Sequence, residues 1–478
     1  MQTAALPHVS LVPVSPVSPG HFRQILDPDR YREFSAAIVR AREKLDGRVI
    51  WNVNSTAGGG GVAEMLRSVI AYVSGAGIDA RWVVIQGRPE FFEVTKRIHN
   101  QVQGFEGDGG DLGEAEHGEY ARALALVGQE LATMVRPGDI VLLHDPQTAG
   151  LVSELQQRNV TVVWRCHVGA DAINARAETA WKFLMRYLPG AQAYIFSRAT
   201  YAWKDLPRER IVVIPPSIDP FSPKNNAMTR EMAAAILINA GLISGFAAAT
   251  PYYVRPSGTI GLVSRRAEVF QLAPPAPATR LVVQVSRWDR LKDPIGVMEG
   301  FANFVAPDTP AHLLIAGPTV GAVADDPEGA EVLNEARVAW ERLPEAARRR
   351  VHLACLPMQD LDENAAIVNA LQRWSEVIVQ KSLAEGFGLT VSEAMWKARP
   401  VVASRIGGIQ DQVEHEKSGI LLDDPTDLQG YAAAVTRLLT QRATAQEMGQ
   451  AAMRRVSENF LTDRHLKQYG ELFARLVE

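Results

Sequence analysis

Cysteine is nearly absent: Cys166 and Cys355 are the only two in 478 residues, and they stand far apart. That argues against a disulfide framework or a thiolate metal cluster and points to a reducing compartment, the cytoplasm. None of the ten histidines falls at zinc-site spacing, so no metal cofactor is expected. Charge of one sign is not in excess. Fifty Lys and Arg face 54 Asp and Glu, a net charge of −4, which leaves no broad footprint for nucleic acid or an anionic membrane. Long apolar runs are missing too. The nearest to a membrane span, residues 233–249 (AAAILINAGLISGFAAA), is broken by Asn239, Gly241, Ser244 and Gly245 and is too short, so it reads as a buried helix or helical hairpin. A G-x-S-x-G nucleophile elbow, a Walker GK[ST] ending, an internal repeat and a heptad run are all absent. Residues 1–20 carry four prolines and lack the basic start and unbroken apolar core of an export signal, which predicts an extended or mobile arm.

What the chain has is alternation. With 47% apolar and 22% charged residues, its length implies two globular domains. RVIWNVN at residues 48–54 is a β-branched run followed by STAGGGG and then VAEMLRSVIAYV, a strand, a glycine loop and an amphipathic helix. Strand-like and helix-like runs keep alternating through RIVVIPPSI near residue 214, break down in a Pro- and Ala-rich stretch, and resume with LVVQVSRWDRLKDP at residue 281. Strands separated by helices form parallel, doubly wound sheets, with ligands at the carboxyl ends of the strands. The expected layout is an arm and lead-in helix over residues 1–45, a first doubly wound domain over 46–220, a linker with an insertion over 221–279, and a second doubly wound domain over 280–460. A terminal helix over 461–478 crosses back to the first domain, its Leu466, Tyr469, Leu472, Phe473 and Leu476 recurring at helical spacing.

The most informative stretch is KSLAEGFGLTVSEAMWKARP, residues 381–400. Gly386 and Gly388 bracket Phe387 in a tight turn, and a helix opens near Leu389 and Thr390, where unpaired amides can hold a phosphate. Glu385 and Glu393 flank that helix start, as a ligand with hydroxyls on both sides of a phosphate requires. The plain alternative makes Glu393 a first-turn acid favoured by the helix dipole. Ser286, Arg287 and Lys292 follow the strand at residue 281, so two cations emerge where a diphosphate leaving group would gather charge. From the other domain Gly59 and Gly60, in the GGGG run, form a candidate cradle, although they fit no Walker pattern. Asn54, Ser55, His144, Asp145 and His167 end apolar strands and are candidates for binding a sugar, with satisfied structural histidines as the alternative for His144 and His167.

Taken together, the E-x7-E loop, the Arg287 and Lys292 pair, the glycine loop after the first strand and GGI at residues 407–409 resemble the retaining GT-B glycosyltransferases of the GT4 type. More narrowly, WNVNSTAGGGGVAEML, LLHDPQ, WRCH, PPSIDPFSPKN, QVSRWDRLKDP and EGFGLTVSEAMWK are similar to the trehalose glycosyltransferring synthases, from about residue 46 to the C-terminus. That resemblance implies transfer of glucose from a nucleotide-glucose to glucose, giving α,α-trehalose. Arg287 and Lys292 would bind the diphosphate, Glu385 the glucosyl hydroxyls, Glu393 the ribose, and the backbone of residues 386–390 the phosphates. His167 would join Arg287, Lys292 and Glu385 at the reacting centre, with Asn54, Ser55, His144 and Asp145 on the acceptor side. The implied partners are the nucleotide-sugar and a sugar acceptor, and a homodimer stays open. A trehalose phosphorylase, a relative with another acceptor and a silent nucleotide-sugar-binding protein remain as alternatives.

Overall fold

Short runs rich in Val, Ile and Leu that are apolar at nearly every position must be covered on both faces, and that requirement sets the architecture. The computed structural model describes residues 8–58, 60–320 and 328–478. It divides into one unit made of the residues up to Pro216 together with Thr462–Glu478, and a second made of Ser217–Leu461.

The first unit is built on β1 (Val9–Val12), β2 (Val49–Asn54), β3 (Asp79–Ile85), β4 (Ile140–His144), β5 (Thr161–Cys166), β6 (Ala193–Phe196) and β7 (Ile211–Val213), in the order β1-β3-β2-β4-β5-β6-β7. All neighbours run parallel except β1, which lies antiparallel on β3. Side chains alternate between two covering layers. Val83 and Ile85 join the large core that contains Phe91, Tyr120, Trp164 and Trp181, whereas Trp82 and Val84 pack with Leu66 and Ile70 of the helix Gly61–Gly75. Chain order reverses between β2 and β4, which makes their carboxyl ends, at Asn54 and His144, the switch point.

The second unit repeats the plan with β8 (Tyr252–Val254) and β9 (Ile260–Leu262) as a separate hairpin. Its main sheet holds β10 (Glu268–Phe270), β11 (Leu281–Val285), β12 (His312–Pro318), β13 (Val351–Leu356), β14 (Val377–Gln380), β15 (Val401–Ser404) and β16 (Ile420–Leu422) in the order β10-β13-β12-β11-β14-β15-β16. Here β10 is the antiparallel edge, and the reversal falls between β11 and β14. Both doubly wound sheets are therefore as the alternation implied, each with one antiparallel edge strand that it did not reveal.

Two stretches differ from the sequence expectation. From residue 8 onward the Pro-rich arm is built into the first unit: β1 pairs with β3, the Val17 amide donates to the Ala71 carbonyl at 2.9 Å, and Phe22 is buried against the rings of Phe34 and Tyr72. Proline excludes a central strand but not an edge one, so its prolines did not imply a free arm. Residues 1–7 lie outside the described residues. Residues 221–279, read as linker and insertion, lie within the second unit. Their helix Arg230–Asn239 buries Ala235, Ile236 and Leu237 and ends at Asn239, so the apolar run to residue 249 is one helix and a loop, not a helical hairpin. Among the described residues no helix is long and apolar enough to cross a membrane.

The terminal helix Thr462–Leu476 buries Leu466, Tyr469, Leu472 and Phe473 in the first unit, with Leu476 half-buried. It also closes a polar cluster. Arg165, on β5 and 0% exposed, donates to His465 Nε2 at 2.9 Å, to the Tyr469 hydroxyl and to the Ile214 carbonyl at 3.0 Å. Arginine only donates, so His465 accepts at Nε2 and is neutral there. Burial first, and then the Arg165 charge, hold His144, His167 and His465 well below the ordinary imidazole value of 6.5. Arg464 adds to this at His465, and the histidines add to it among themselves.

The sign of the resulting pH dependence follows from these depressed values. The unfolded chain takes up protons on these rings below pH 6.5 and the folded chain does not, so stability present above that pH is lost as it falls, by about 1.4 kcal/mol per pH unit for each ring that stays neutral. Asp463, raised by its burial, opposes the trend at lower pH. Denaturant melts at pH 8, 6.5 and 5 should show stability of the first unit falling across the lower interval, and a shallower fall in His465→Gln. A flat profile in the parent chain would contradict the buried-imidazole assignment.

Candidate active site

In the second unit the switch point brings the two charged loops together. β11 ends at Val285, and the chain continues through Ser286 and Arg287 into a single 3-10 turn, Arg290–Lys292. Asp289 caps that turn by accepting from the Leu291 amide at 2.8 Å. Gln284, buried on β11, donates to the Lys292 carbonyl at 2.8 Å and to Ser286 Oγ at 3.2 Å. The neighbouring loop after β14 is stitched to this one by the Leu383 amide donating to the Leu291 carbonyl at 2.8 Å, and beneath both lies an ion pair between buried Lys381 and Asp293. Asp293 holds φ +48° at the start of the helix Pro294–Gly300 and caps it. With both loops fixed, Lys292 Nζ lies 2.8 Å from Glu385 Oε2. Arg287 is 3.6 Å from Asp289, too long for a strong pair.

The turn between the glutamates is close-packed. Gly388 sits at φ +83° as the cap of the helix Leu389–Trp396, a backbone conformation that favours glycine, and a Cβ there would also meet Ile409 at 3.1 Å. Gly408 donates to the Gly386 carbonyl at 3.1 Å, and a Cβ on it would come within 2.5 Å of the Phe387 ring. The Phe387 ring itself is buried beside Phe460, with centroids 5.8 Å apart, so Phe387 offers a ligand its backbone and not its side chain. Thr390 Oγ1 donates to Gln380 Oε1 at 3.2 Å. The first amides of the helix, at Leu389 and Thr390, have no acceptor within it.

Glu393 is not the first-turn acid of the plain alternative. It lies on the second turn and is 2% exposed, with Oε1 3.3 Å from Lys224 Nζ and Oε2 buried without a hydrogen-bond partner among the described residues. A buried carboxylate oxygen left in that state is costly unless a ligand donates to it.

In the first unit His144 Nδ1 and His167 Nε2 are 3.1 Å apart with the rings stacked, and His144 Nε2 is 3.4 Å from the Asn52 side-chain oxygen. Asp145 stands at φ +65° and ψ 175°, a conformation that costs about 1–3 kcal/mol for a residue with a side chain. Its carboxylate accepts from the His167 amide at 2.8 Å, and its carbonyl accepts from Trp164 Nε1 at 3.1 Å, so the strain fixes the end of β5. Asn54 is committed differently from the sequence expectation. Its oxygen accepts from Trp82 Nε1 at 2.7 Å and its amide donates to the Thr56 carbonyl at 2.6 Å, so it shapes the glycine loop from within. Ser55 is half-buried beside it. Gly60 caps the helix Gly61–Gly75, and a Cβ there would meet nothing within 4 Å, so packing does not demand glycine. Gly59 lies outside the described residues.

Four residues were not read from the sequence as part of either group: Lys224, Gln284, Arg165 and Asn52. A charge within the apolar strand TVVWRC and an amide within LVVQV were the available signals, since an interior strand position holds a polar group only if something satisfies it. Lys224 gave no such signal, because it lies in a turn. Among the described residues no three His, Cys, Asp or Glu are grouped so as to hold a metal ion.

Residues 52–203 match the family model described as the trehalose synthase N-terminal domain, and residues 267–455 the model for glycosyl transferases group 1. The trehalose synthase of Thermococcus litoralis is 34% identical over 440 residues, covering 91% of this chain and 92% of its own. That of Rubrobacter xylanophilus is 34% identical over 472 residues, covering 96% and 99%. Among solved structures, the UDP-forming α,α-trehalose-phosphate synthase of Burkholderia xenovorans in complex with glucose-6-phosphate superposes with a TM-score of 0.64 at 14% identity, over 90% of this chain and 100% of that one, a likeness of fold. The chain belongs to the trehalose synthase family of group 1 glycosyltransferases, and its two parallel-sheet α/β domains are those of the GT-B fold.

Proposed function

We propose that this chain is a retaining glucosyltransferase of the GT4 type that carries glucose from a nucleotide-glucose donor to free glucose and forms α,α-trehalose. The observation that carries the donor assignment is the pair of glutamates around one helix start. Lys292 is tied to Glu385 at 2.8 Å, and buried Glu393 keeps an oxygen with no partner. A ribose diol brings hydroxyl donors to such a carboxylate, whereas an inorganic phosphate held at the helix start has no diol to place there. That favours a nucleotide donor over a phosphorolytic one.

In this reading the helix amides at Leu389 and Thr390 hold the diphosphate and Glu385 takes the glucosyl hydroxyls. Lys292 and Arg287 offset the charge that builds on the leaving phosphate as the glycosidic bond breaks. Ser286, beside Gln284, completes the phosphate side. The acceptor glucose falls to the first unit, where neutral His144 and His167, Asp145 and the loop that Asn54 shapes, with Ser55 and Gly60, supply polar contacts, and His167 takes part in the reaction. The acceptor hydroxyl attacks from the face the phosphate leaves, and the departing phosphate oxygen takes its proton. Retention then needs no protein nucleophile. With two cations and a helix start for the diphosphate, no metal is required. Cys166 and Cys355 are both buried and unpaired, as suits a cytoplasmic enzyme.

Lys292→Ala should fold normally and lower kcat about 10²-fold, the scale of losing one preorganised charge at a developing anion. EDTA should leave the parent enzyme unchanged. Loss of activity in EDTA with Lys292→Ala still active would reverse the assignment of charge stabilisation. Given trehalose, the enzyme should release nucleotide-glucose with ADP or UDP and nothing with inorganic phosphate. Glucose 1-phosphate formed from phosphate alone would establish a phosphorylase instead.

A further inference from the structure

The turn that follows the boundary between the two units is bolted to the donor loop's helix. Asp219 to Asn226 closes on itself, with the Asn225 amide on the Ser222 carbonyl at 2.9 Å and the Asn225 side chain on the Asp219 carbonyl at 3.1 Å. From outside, Asn369 donates to the Pro223 carbonyl at 3.0 Å and Arg373 to the Asn226 carbonyl at 2.8 Å. Trp396 Nε1 donates to the Asn225 carbonyl at 3.1 Å, and Lys397 Nζ bridges Asn225 Oδ1 at 2.9 Å and the Glu393 carbonyl at 3.0 Å. Trp396 and Lys397 stand three and four residues after Glu393, on the same face of its helix. Every one of these bonds fixes where the Lys224 backbone lies relative to Glu393. They bring Lys224 Nζ to 3.3 Å from Glu393 Oε1, with the lysine side chain only 14% exposed.

From this geometry we infer that Lys224 is a positioning residue for the donor. It holds one oxygen of Glu393 so that the other, buried and without a partner, is presented to the ribose hydroxyls. The inference rests on the donor-site reading above and adds a residue to it. Without the ammonium, the carboxylate loses both its counter-charge and the contact that fixes its orientation, and the ribose meets a carboxylate that must first be ordered.

The test measures donor KM, acceptor KM and kcat, together with calorimetric Kd values for ADP and UDP, in Lys224→Met, Lys224→Arg, Glu393→Gln and the Lys224→Met/Glu393→Gln double variant. Lys224→Met should raise donor KM and nucleotide Kd about tenfold, with a smaller fall in kcat and an unaltered acceptor KM. Lys224→Arg should recover most of the affinity, and Lys224→Met should add nothing in the Glu393→Gln background. Parental nucleotide affinity in Lys224→Met, alongside weakened affinity in Glu393→Gln, overturns this inference and leaves the donor site standing. Parental affinity in Glu393→Gln overturns the donor-site reading itself. Equal losses in kcat and both KM values with no recovery in Lys224→Arg would reduce the lysine to a structural role and overturn the inference too.

Discussion

The chemistry of the second unit depends on one pairing, β11 beside β14, with Val282 against Val377 and Val283 against Ile378. Adjacent strands stand about 4.8 Å apart, so loops leaving their carboxyl ends have little choice but to meet. The chain leaves β11 with Arg287 and Lys292 and returns at β14 with Glu385 and Glu393, having built β12, β13 and their helices on one side in between. Depth along the strands is set by buried polar groups: Gln284 on the Lys292 carbonyl, Leu383 on Leu291, and Lys381 on Asp293. A slip of one residue would strand a lysine in the core without its carboxylate, a cost of several kcal/mol, which is why these loops have one register.

Much of this was legible beforehand. Parallel doubly wound sheets follow from apolar runs of strand length separated by helical periodicity, and ligand residues at strand ends follow from the topology of such sheets. The separation of Glu385 and Glu393 across a glycine turn could be read directly, because Gly388 needs its positive φ and local chain geometry does the rest. Local features were the readable ones.

What could not be read depends on contacts far apart in sequence. β1 and β10 are short edge strands whose partners lie 70 or more residues away, and their Pro- and Ala-rich surroundings resemble loop composition. Asn54 ends a strand where ligands bind, yet its amide answers to Trp82 and Thr56, and only the fold shows which way it turns. Lys224 is the same lesson reversed. PPSIDPFSPKN carries the family likeness but does not single the lysine out, and its position comes from Asn369, Arg373, Trp396 and Lys397, all more than 140 residues later.

The first unit is discontinuous, and that has a consequence for its birth on the ribosome. Its sheet is complete once β7 has been made, but Arg165 then has neither His465 nor Tyr469, and the helices Pro28–Lys44 and Gly61–Gly75 lack the helix that covers them. Those partners emerge only after all of residues 217–461, roughly 10–50 s later at ordinary rates of synthesis. A nascent chain of this protein therefore carries an apolar face and a buried-type arginine through the whole translation of its second domain. The helix that finishes the first domain leaves the tunnel only after the whole of the second, so a message stalled or truncated before it yields a sticky product and not a shorter enzyme.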